Sequence, residues 1–129
     1  MAQVAFSCTC GTVTGVLHDI SPKAGSHLVC HCHSCRRSML WLGQPDPGTE
    51  GVDYFQTTPD RVRIDTGAEH LAVFTWKNRS VLRWYADCCK APLFNTLNRP
   101  GVPTASLFLD RVTDKTPFGP VIAHAFIDK

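Results

Sequence analysis

Seven cysteines in a chain of 129 residues are the feature that most restricts how this sequence folds. They fall into three groups, which are Cys8/Cys10, Cys30/Cys32/Cys35 and Cys88/Cys89. Disulfide frameworks use an even number of cysteines in secreted chains, so the odd count argues against one. Unrelated core cysteines would be scattered along the sequence rather than grouped. Grouping at metal-ligand spacing therefore predicts zinc sites, and it makes metal cross-links part of the fold.

The bulk properties of the chain suit a small globular protein. Hydrophobic residues make up 43% of the sequence, which excludes a disordered chain. Every purely apolar run is far shorter than the ~20 residues of a membrane-spanning helix. The start of the sequence lacks the basic segment and the long apolar core of a signal peptide. We therefore expect one zinc-binding domain over residues 1–129, located in the cytoplasm, with no membrane partner.

The formal net charge of +2 gives little information about partners, because it changes when metal binds. Ligand thiols must deprotonate, so seven thiolates and two zinc ions would bring the charge to about −1. A basic patch for nucleic acid cannot be argued from this balance. Nucleic acid is therefore a disfavoured partner.

The turn pattern predicts a mainly β fold of short strands. Turn residues recur about every ten positions and separate β-branched or aromatic runs. Strands are predicted at residues 4–6, 12–17, 27–30, 61–64, 71–76 and 80–85, with weaker candidates at 93–95, 104–109 and 121–127. One short helix is predicted over residues 34–42, with Ser34 as its N-cap and Gly43 as its C-terminal stop. Residues 44–51 are predicted to form a loop.

Cys30, Cys32 and Cys35 combine C-x-C with C-x-x-C spacing. Thiolates this close repel one another unless a cation holds them, and zinc accepts sulfur at ~2.3 Å. Three ligands from one loop leave a tetrahedral position open, which is the pattern of catalytic zinc. His31 or His33 would close the site if either bound the metal. The alternative for both histidines is an ordinary solvent-facing or hydrogen-bonded role.

Arg36 and Arg37 follow the central cysteines directly. They lie near the start of the predicted helix, where the helix dipole disfavours cations. One of them could pair with a carboxylate of an anionic substrate, because guanidinium binds carboxylate in a bidentate manner. The alternative is a solvated basic surface.

Cys8/Cys10 and Cys88/Cys89 lie about eighty residues apart, and neither pair forms a closed site by itself. Together they would form a four-cysteine structural zinc site that ties the first hairpin to the later sheet. Neighbouring side chains of a strand point to opposite faces, so Cys88 and Cys89 can share an ion only if the chain turns sharply. The alternative makes Cys88 a core thiol and leaves the site to another ligand.

Three motifs together resemble the glutathione-dependent formaldehyde-activating enzyme and centromere protein V family. The C-x-C-G motif of that family is matched by residues 8–11, and its C-H-C-x-x-C motif with following basic residues by residues 30–37. Its C-x-x-C-G-x-P-L motif corresponds to the stretch that ends in Pro92 and Leu93. Aligning on Pro92 places Cys89 on the last ligand of the family, Lys90 on its glycine and Ala86 on its other cysteine. The resemblance spans residues 8–97.

The resemblance implies the Mss4-like (β-tent) zinc fold of short twisted sheets. It implies a structural zinc held by Cys8, Cys10, Cys89 and, as a substitute ligand, Cys88. It further implies a second, catalytic zinc at Cys30, Cys32 and Cys35, where a small thiol such as glutathione binds. The activity implied is that of a carbon–sulfur lyase, S-(hydroxymethyl)glutathione synthase-like, which joins formaldehyde to glutathione. No general base is evident in the sequence beyond the candidates His31, His33 and Asp53.

Two other functions are compatible with the sequence. A non-enzymatic zinc module would bind a protein or a nucleic acid through its tryptophans and arginines, namely Trp41, Trp76, Trp84, Arg61, Arg63, Arg79 and Arg83. The favoured alternative is an ordinary half-exposed strand surface, because Arg61, Arg63 and Trp84 alternate with apolar residues. Exposed thiolates at the central cysteines could instead serve redox sensing. The last thirty residues match no motif, and strands there predict a sheet edge or a dimer contact, so an oligomer is compatible with the sequence.

Overall fold

The computed structural model of the protein describes residues 2–77, 80–97 and 103–125. Over these ranges the chain forms ten β-strands and one α-helix, joined by turns and four short 3-10 segments. The strands are β1 Ala2–Ser7, β2 Thr14–Ile20, β3 Ser26–Cys30, β4 Val52–Thr57, β5 Val62–Thr66, β6 Leu71–Phe74, β7 Val81–Ala86, β8 Ala91–Leu97, β9 Ala105–Phe108 and β10 Ala123–Ala125. The helix, α1, spans His33–Trp41. The prediction of a mainly β fold with one short helix is confirmed.

The strands form two sheets. The smaller sheet has the order β1-β2-β5, and the larger has the order β10-β3-β4-β9-β8-β7-β6. Neighbouring strands run antiparallel except for β10, which pairs in parallel with β3. Because β3 and β7 lie in the same sheet, two chain segments far apart in sequence contribute to one surface.

The main core fills the space between the two sheets. Leu17 from the smaller sheet and Phe55 from the larger one are fully buried there, and Phe118 packs edge-on against Phe55. Each such side chain stabilises the fold by about 1.5–3 kcal/mol through removal of apolar surface from water. The opposite face of the larger sheet lies outside this core.

Side chains along the larger sheet alternate between its two faces, as the pleat requires. On β4, Phe55 points into the core, whereas Tyr54 points to the other face and packs with Cys35 and Phe108. Helix α1 covers part of this second face. The cysteines at the end of β3 and the start of α1 therefore lie over the sheet, outside the main core.

The predicted helix is one residue out of register at each end. It begins at His33 because Cys32, not Ser34, is its N-cap: the Cys32 Sγ accepts a hydrogen bond from the Cys35 backbone N–H. Ser34 lies inside the first turn. Gly43 ends the helix as predicted, with a left-handed φ of 73° that a glycine adopts without strain.

Strand β4 has no counterpart among the predicted strands. It follows Gly51, whose φ of 76° turns the chain out of the loop at residues 44–51. Its six residues mix apolar and polar types without clear alternation, because Val52, Tyr54, Phe55 and Thr57 are all buried. Burial on both faces of a central strand removes the period-2 signal.

The other predicted strands are present with shifted ends. The candidate at 121–127 corresponds to β10, and residues 126 and 127 lie outside the described residues. The described part of the chain contains no helix long and apolar enough to cross a membrane.

Candidate metal centres

The first two cysteines lie in a tight turn between β1 and β2. The Cys8 backbone N–H donates to the Val13 carbonyl at 2.9 Å, and the Gly11 N–H donates to the Cys8 carbonyl at 3.2 Å. Gly11 has a φ of 81°, a conformation that L-residues rarely adopt, and this allows the turn to close. The turn leaves Cys8 buried and Cys10 exposed, on one side of the loop.

The second pair lies in the turn that joins β7 to β8. The Lys90 N–H donates to the Ala86 carbonyl at 2.8 Å, and Lys90 has a left-handed φ of 63°. The chain therefore turns sharply at Cys88 and Cys89, which is the condition for both to face one ion. The alternative of Cys88 as a core thiol is wrong, because this side chain is exposed.

We call Cys8, Cys10, Cys88 and Cys89 the split cluster. Its four sulfur atoms lie within 4.8 Å of one another. Cys8 Sγ lies 3.6 Å from Cys10 Sγ and 3.9 Å from Cys88 Sγ, and the Cys10–Cys88 distance is 3.3 Å. Four thiolates around a tetrahedral ion with ~2.3 Å bonds would lie about 3.8 Å apart. The split cluster therefore fits a metal ion with small adjustments.

Hydrogen bonding makes the thiols of the split cluster unequal. Burial raises the pKa of Cys89, but hydrogen bonds with Thr9 and with the backbone of Cys10 and Ala91 outweigh this and bring its pKa to about 6. Hydrogen bonding with Cys10 raises the pKa of Cys88 to about 12. Of Cys88 and Cys89, Cys89 therefore loses its proton more easily, and a bound cation would be needed to deprotonate Cys88.

We call Cys30, Cys32 and Cys35 the central cluster. Cys30 ends β3, Cys32 caps α1, and Cys35 lies in the first turn of the helix. Their sulfur atoms lie within 4.8 Å of one another, with 3.3 Å between Cys30 and Cys35 and 2.8 Å between Cys32 and Cys35. Three thiolates on one metal would sit slightly further apart. The set can hold a metal ion, and one coordination position is left for another ligand.

The helix terminus polarises the central cluster. Hydrogen bonds with Cys30 and Cys35 lower the pKa of Cys32, and further donors at Ser34 and the Cys35 backbone act in the same direction. Hydrogen bonding with Cys32 raises the pKa of Cys30. The thiolate is therefore most stable at Cys32, where the positive end of the helix dipole also favours it.

Buried polar side chains support Cys35 from the sheet. The Tyr54 hydroxyl donates to the Cys35 Sγ at 3.6 Å, and the Asn95 side-chain amide donates to the Tyr54 hydroxyl at 3.2 Å. Arg83 donates to the Ser34 Oγ at 3.2 Å, and its Nη1 lies 3.9 Å from the Cys35 Sγ. Burial lowers the pKa of Arg83, but attraction to Cys35, Tyr54 and Cys32 and a hydrogen bond with Cys35 together outweigh this and leave the pKa above its ordinary value.

Arg83 is one of the arginines that a partner-binding surface would use, but it lies in the interior and not on the surface. Only 6% of the residue is exposed. Its strand position gives no warning, because an arginine between apolar residues is typical of a half-exposed strand. The pairing of two polar residues is the signal that could have indicated this burial. Arg83 lies directly opposite Asn95 in the β7–β8 register. Arg79 lies outside the described residues.

Two cavities meet at the central cluster. The larger has a volume of about 780 Å³ and extends over the sheet from Cys30, Cys32 and Cys35 to Arg83. The smaller, of about 490 Å³, lies on the other side of Cys30 and Cys32, beneath the loop around Gly48. A ligand in the larger cavity would have room for a body of drug-like size beside the sulfur atoms.

The arginines after the central cluster have partners of their own. Arg36 forms a bidentate pair with Asp46, with N···O distances of 2.8 and 2.7 Å. Arg37 lies over the Trp76 ring, 3.8 Å from its centroid. Neither lines the larger cavity.

The three candidate bases are placed differently. His33 lines both cavities. The His31 Nε2 hydrogen bonds with the His124 Nδ1 at 3.0 Å, away from the larger cavity. Asp53 binds His27 and Lys115 and lines neither cavity. Of the three, only His33 lines the larger cavity, and His31 lines the smaller one.

The comparisons with known proteins place the chain in a family. A model described as a family of unknown function, DUF6151, matches residues 1–129, and the chain belongs to this family. No curated protein matches the sequence. Among solved structures, a Rhodobacter sphaeroides protein from a structural-genomics project is 16% identical with a TM-score of 0.65, covering 94% of this chain and 99% of that chain. This likeness shows a shared fold.

Proposed function

We propose that this member of the DUF6151 family is a zinc-dependent carbon–sulfur lyase-like protein. Its substrate would be a small thiol or the aldehyde adduct of a thiol, of the glutathione and formaldehyde type. The observation that carries the proposal is the central cluster, in which three sulfur atoms converge beside a cavity of about 780 Å³. A closed structural site would have a fourth protein ligand and would need no cavity.

Zinc is the metal we propose for both clusters. All-sulfur donor sets select zinc or iron–sulfur clusters among the common biological metals. The split cluster matches the sulfur spacing of one tetrahedral ion. Free thiols at all seven positions also require a reducing compartment, for which we propose the cytoplasm.

The resemblance to the glutathione-dependent formaldehyde-activating enzyme and centromere protein V family supports the same function, and with it an Mss4-like fold. Lys90 takes the place of the glycine of that family, and its backbone is left-handed. A left-handed residue is where a glycine would be favoured. The alignment of Cys89 with the last ligand of the family is therefore consistent with the backbone of this chain.

Zinc at the central cluster would supply a positive charge that lowers the pKa of an entering thiol and polarises a carbonyl oxygen. The chain contributes the rest. Cys32 holds its thiolate at the helix N-terminus, and Tyr54 and Arg83 orient Cys35 by hydrogen bonds. His33 lies close enough to the cavity to accept the proton that an entering thiol loses. Addition of a thiolate to an aldehyde forms the carbon–sulfur bond, and the carbonyl oxygen takes up a proton.

Metal analysis and thiol titration test the proposal together. We expect two zinc ions per chain in the purified protein. Glutathione added to cobalt-substituted protein should change the sulfur-to-cobalt absorption of one ion and leave the other unchanged. A Cys32→Ser variant should lose the responsive ion only. One tightly held zinc per chain, with no effect of thiol upon it, would rule the function out.

A non-enzymatic zinc module that binds a partner is the second candidate. Two apolar side chains lie exposed on α1, with 48% of Leu40 and 53% of Trp41 accessible. Trp41 also stacks on Phe74, so the patch is fixed in place. Binding of nucleic acid would weaken steeply as salt is raised, whereas an apolar protein contact would not. A Trp41→Ala variant separates this candidate from the lyase. If the second candidate is right, the variant should lose partner binding and keep its response to thiol.

A further inference from the structure

Arg83 is a buried cation whose partners are sulfur and hydroxyl groups. Its guanidinium contacts the Cys35 Sγ and the Ser34 Oγ. Within the described ranges, no carboxylate lies within ion-pairing distance of it. Its Nε is also buried without a hydrogen-bond partner. A buried charge needs an opposite charge to replace its hydration, so the missing counter-charge has to come from the site itself.

The sulfur atoms of the central cluster can supply that charge. A divalent metal on three thiolates carries one net negative charge, and Arg83 beside Cys35 brings the total to zero. Hydrogen bonds from outside the ligand set also orient metal ligands and tune the metal. Arg83 thus neutralises the net negative charge of the metal site, and the metal site neutralises the buried charge of Arg83.

A row of polar side chains lies along the larger cavity, and Arg83 is its only charged member. Gln56 lies opposite Ser106, Ser106 opposite Asn95, and Asn95 opposite Arg83, so one row of polar side chains crosses four strands. Every member of this row lines the cavity. Among the described lining residues, Arg83 is the only one from the Arg, Lys, Asp and Glu group.

We propose that Arg83 is the counter-charge of a metal held by the central cluster, and that the cavity beside it favours a thiol with no anionic group next to its sulfur. Glutathione meets this condition, because amide bonds flank its thiol-bearing residue and its carboxylates lie at the two ends of the molecule. This inference rests on the proposed function, since it assumes that a thiol enters the open position. The entering thiolate adds one negative charge to a neutral centre. A carboxylate next to the sulfur adds a second one nearby, and Arg83, the only Arg or Lys among the described lining residues, is already neutralised by the metal site. Amide or hydroxyl groups can instead bond with Gln56, Ser106 and Asn95.

Two small thiols of similar length provide the first test. 2-Mercaptoethanol has an uncharged hydroxyl end, and 3-mercaptopropionate has a carboxylate end. Each is titrated into cobalt-substituted protein, and the dissociation constants are expressed per thiolate after the pKa of each free thiol has been measured. We expect 2-mercaptoethanol to bind at least tenfold more tightly. Equal or tighter binding of 3-mercaptopropionate would overturn the inference.

Arg83→Met provides the second test, with Arg83→Lys as the charge-preserving variant. Loss of the counter-charge should lower cobalt affinity at the central cluster at least tenfold and weaken both thiols to a similar extent. Arg83→Lys should recover most of the metal affinity. The control is Arg63→Met, because Arg63 is exposed and pairs with Asp65 far from the cavity. Affinity at the split cluster should stay unchanged in all three variants.

The outcomes distinguish this inference from the proposed function. If Arg83 anchors a substrate carboxylate instead, Arg83→Met will weaken 3-mercaptopropionate selectively and leave metal affinity unchanged, which overturns the inference. If neither thiol alters the cobalt spectrum, the proposed function fails, and metal affinity in Arg83→Met still decides whether Arg83 is the counter-charge. Should Arg83→Met not fold, the order of the two thiols in the natural protein and the Arg83→Lys variant decide it.

Discussion

The two cysteine clusters are built from the same side chain in different ways. The split cluster draws its four sulfur atoms from two turns that lie about eighty residues apart, and it joins the two sheets. The central cluster draws three sulfur atoms from six consecutive residues at a strand end and a helix start. The split cluster has four sulfur atoms, two of them on exposed residues, whereas the central cluster has three and opens into a cavity.

The number of ligands in a site and their separation along the chain carry different information. A site whose ligands are far apart in sequence restricts the chain, so its metal stabilises the fold. A site whose ligands are close together restricts the chain little, so its metal is free to serve chemistry. We expect removal of each metal to have correspondingly different effects.

The largest effect should follow loss of the split cluster. Cys8→Ser removes a buried ligand and should release the metal that closes this long loop. Structural zinc sites supply apparent binding energies of about 10–16 kcal/mol, so we expect loss of cooperative thermal unfolding by circular dichroism. Cys88→Ser, at an exposed position, is the matched variant and should destabilise less. A folded Cys8→Ser protein with unchanged melting would contradict the structural role.

Loss of the central cluster should leave the fold intact. Cys32→Ser removes one metal ligand but keeps a side-chain acceptor at the helix N-cap. We expect one metal ion fewer by elemental analysis and a melting temperature within a few degrees of the parent protein. Cys32→Ala also loses the cap and should cost about 1 kcal/mol more in the free energy of unfolding. Global unfolding of Cys32→Ser would erase the distinction between the clusters.

A smaller effect is expected at Lys90, in the turn that presents Cys88 and Cys89. Lys90→Gly removes the strain of a left-handed φ, and Lys90→Ala keeps that strain. Both variants lose the ammonium that lies 5.4 Å from the Tyr85 ring centroid. Lys90→Gly should therefore be about 0.5–1 kcal/mol more stable than Lys90→Ala in urea unfolding, after the entropy of glycine is subtracted. Equal stabilities would mean that the turn does not enforce this backbone.

The smallest effect is expected at Arg36, beside the central cluster. Its bidentate pair with Asp46 is exposed, and exposed pairs contribute little to stability. We expect Arg36→Gln to leave the melting temperature and the thiol dissociation constant unchanged. A selective loss of affinity for 3-mercaptopropionate in this variant would restore Arg36 as a carboxylate ligand.

Much of the fold and of both clusters follows from local sequence. Cysteine spacing identifies the groups, and Gly43 marks the end of the helix. The sequence does not reveal that Cys32 caps the helix, because cysteine is not among the usual N-cap residues. Strand β4 is absent from the predicted strands because burial on both of its faces removes the alternation of apolar and polar residues. The burial of Arg83 depends on which strands become neighbours, and no local pattern encodes that.

The separation of Cys8 from Cys88 also sets an order of assembly. Cys30, Cys32 and Cys35 occupy one short segment, so a partly synthesised chain can already hold a metal there. The split cluster offers only two thiols until the β7–β8 turn has formed, and long-range contacts of this kind form late in folding. Metal binding at the split cluster would therefore coincide with completion of the fold. Stopped-flow cobalt absorption during refolding should show the central cluster coloured first.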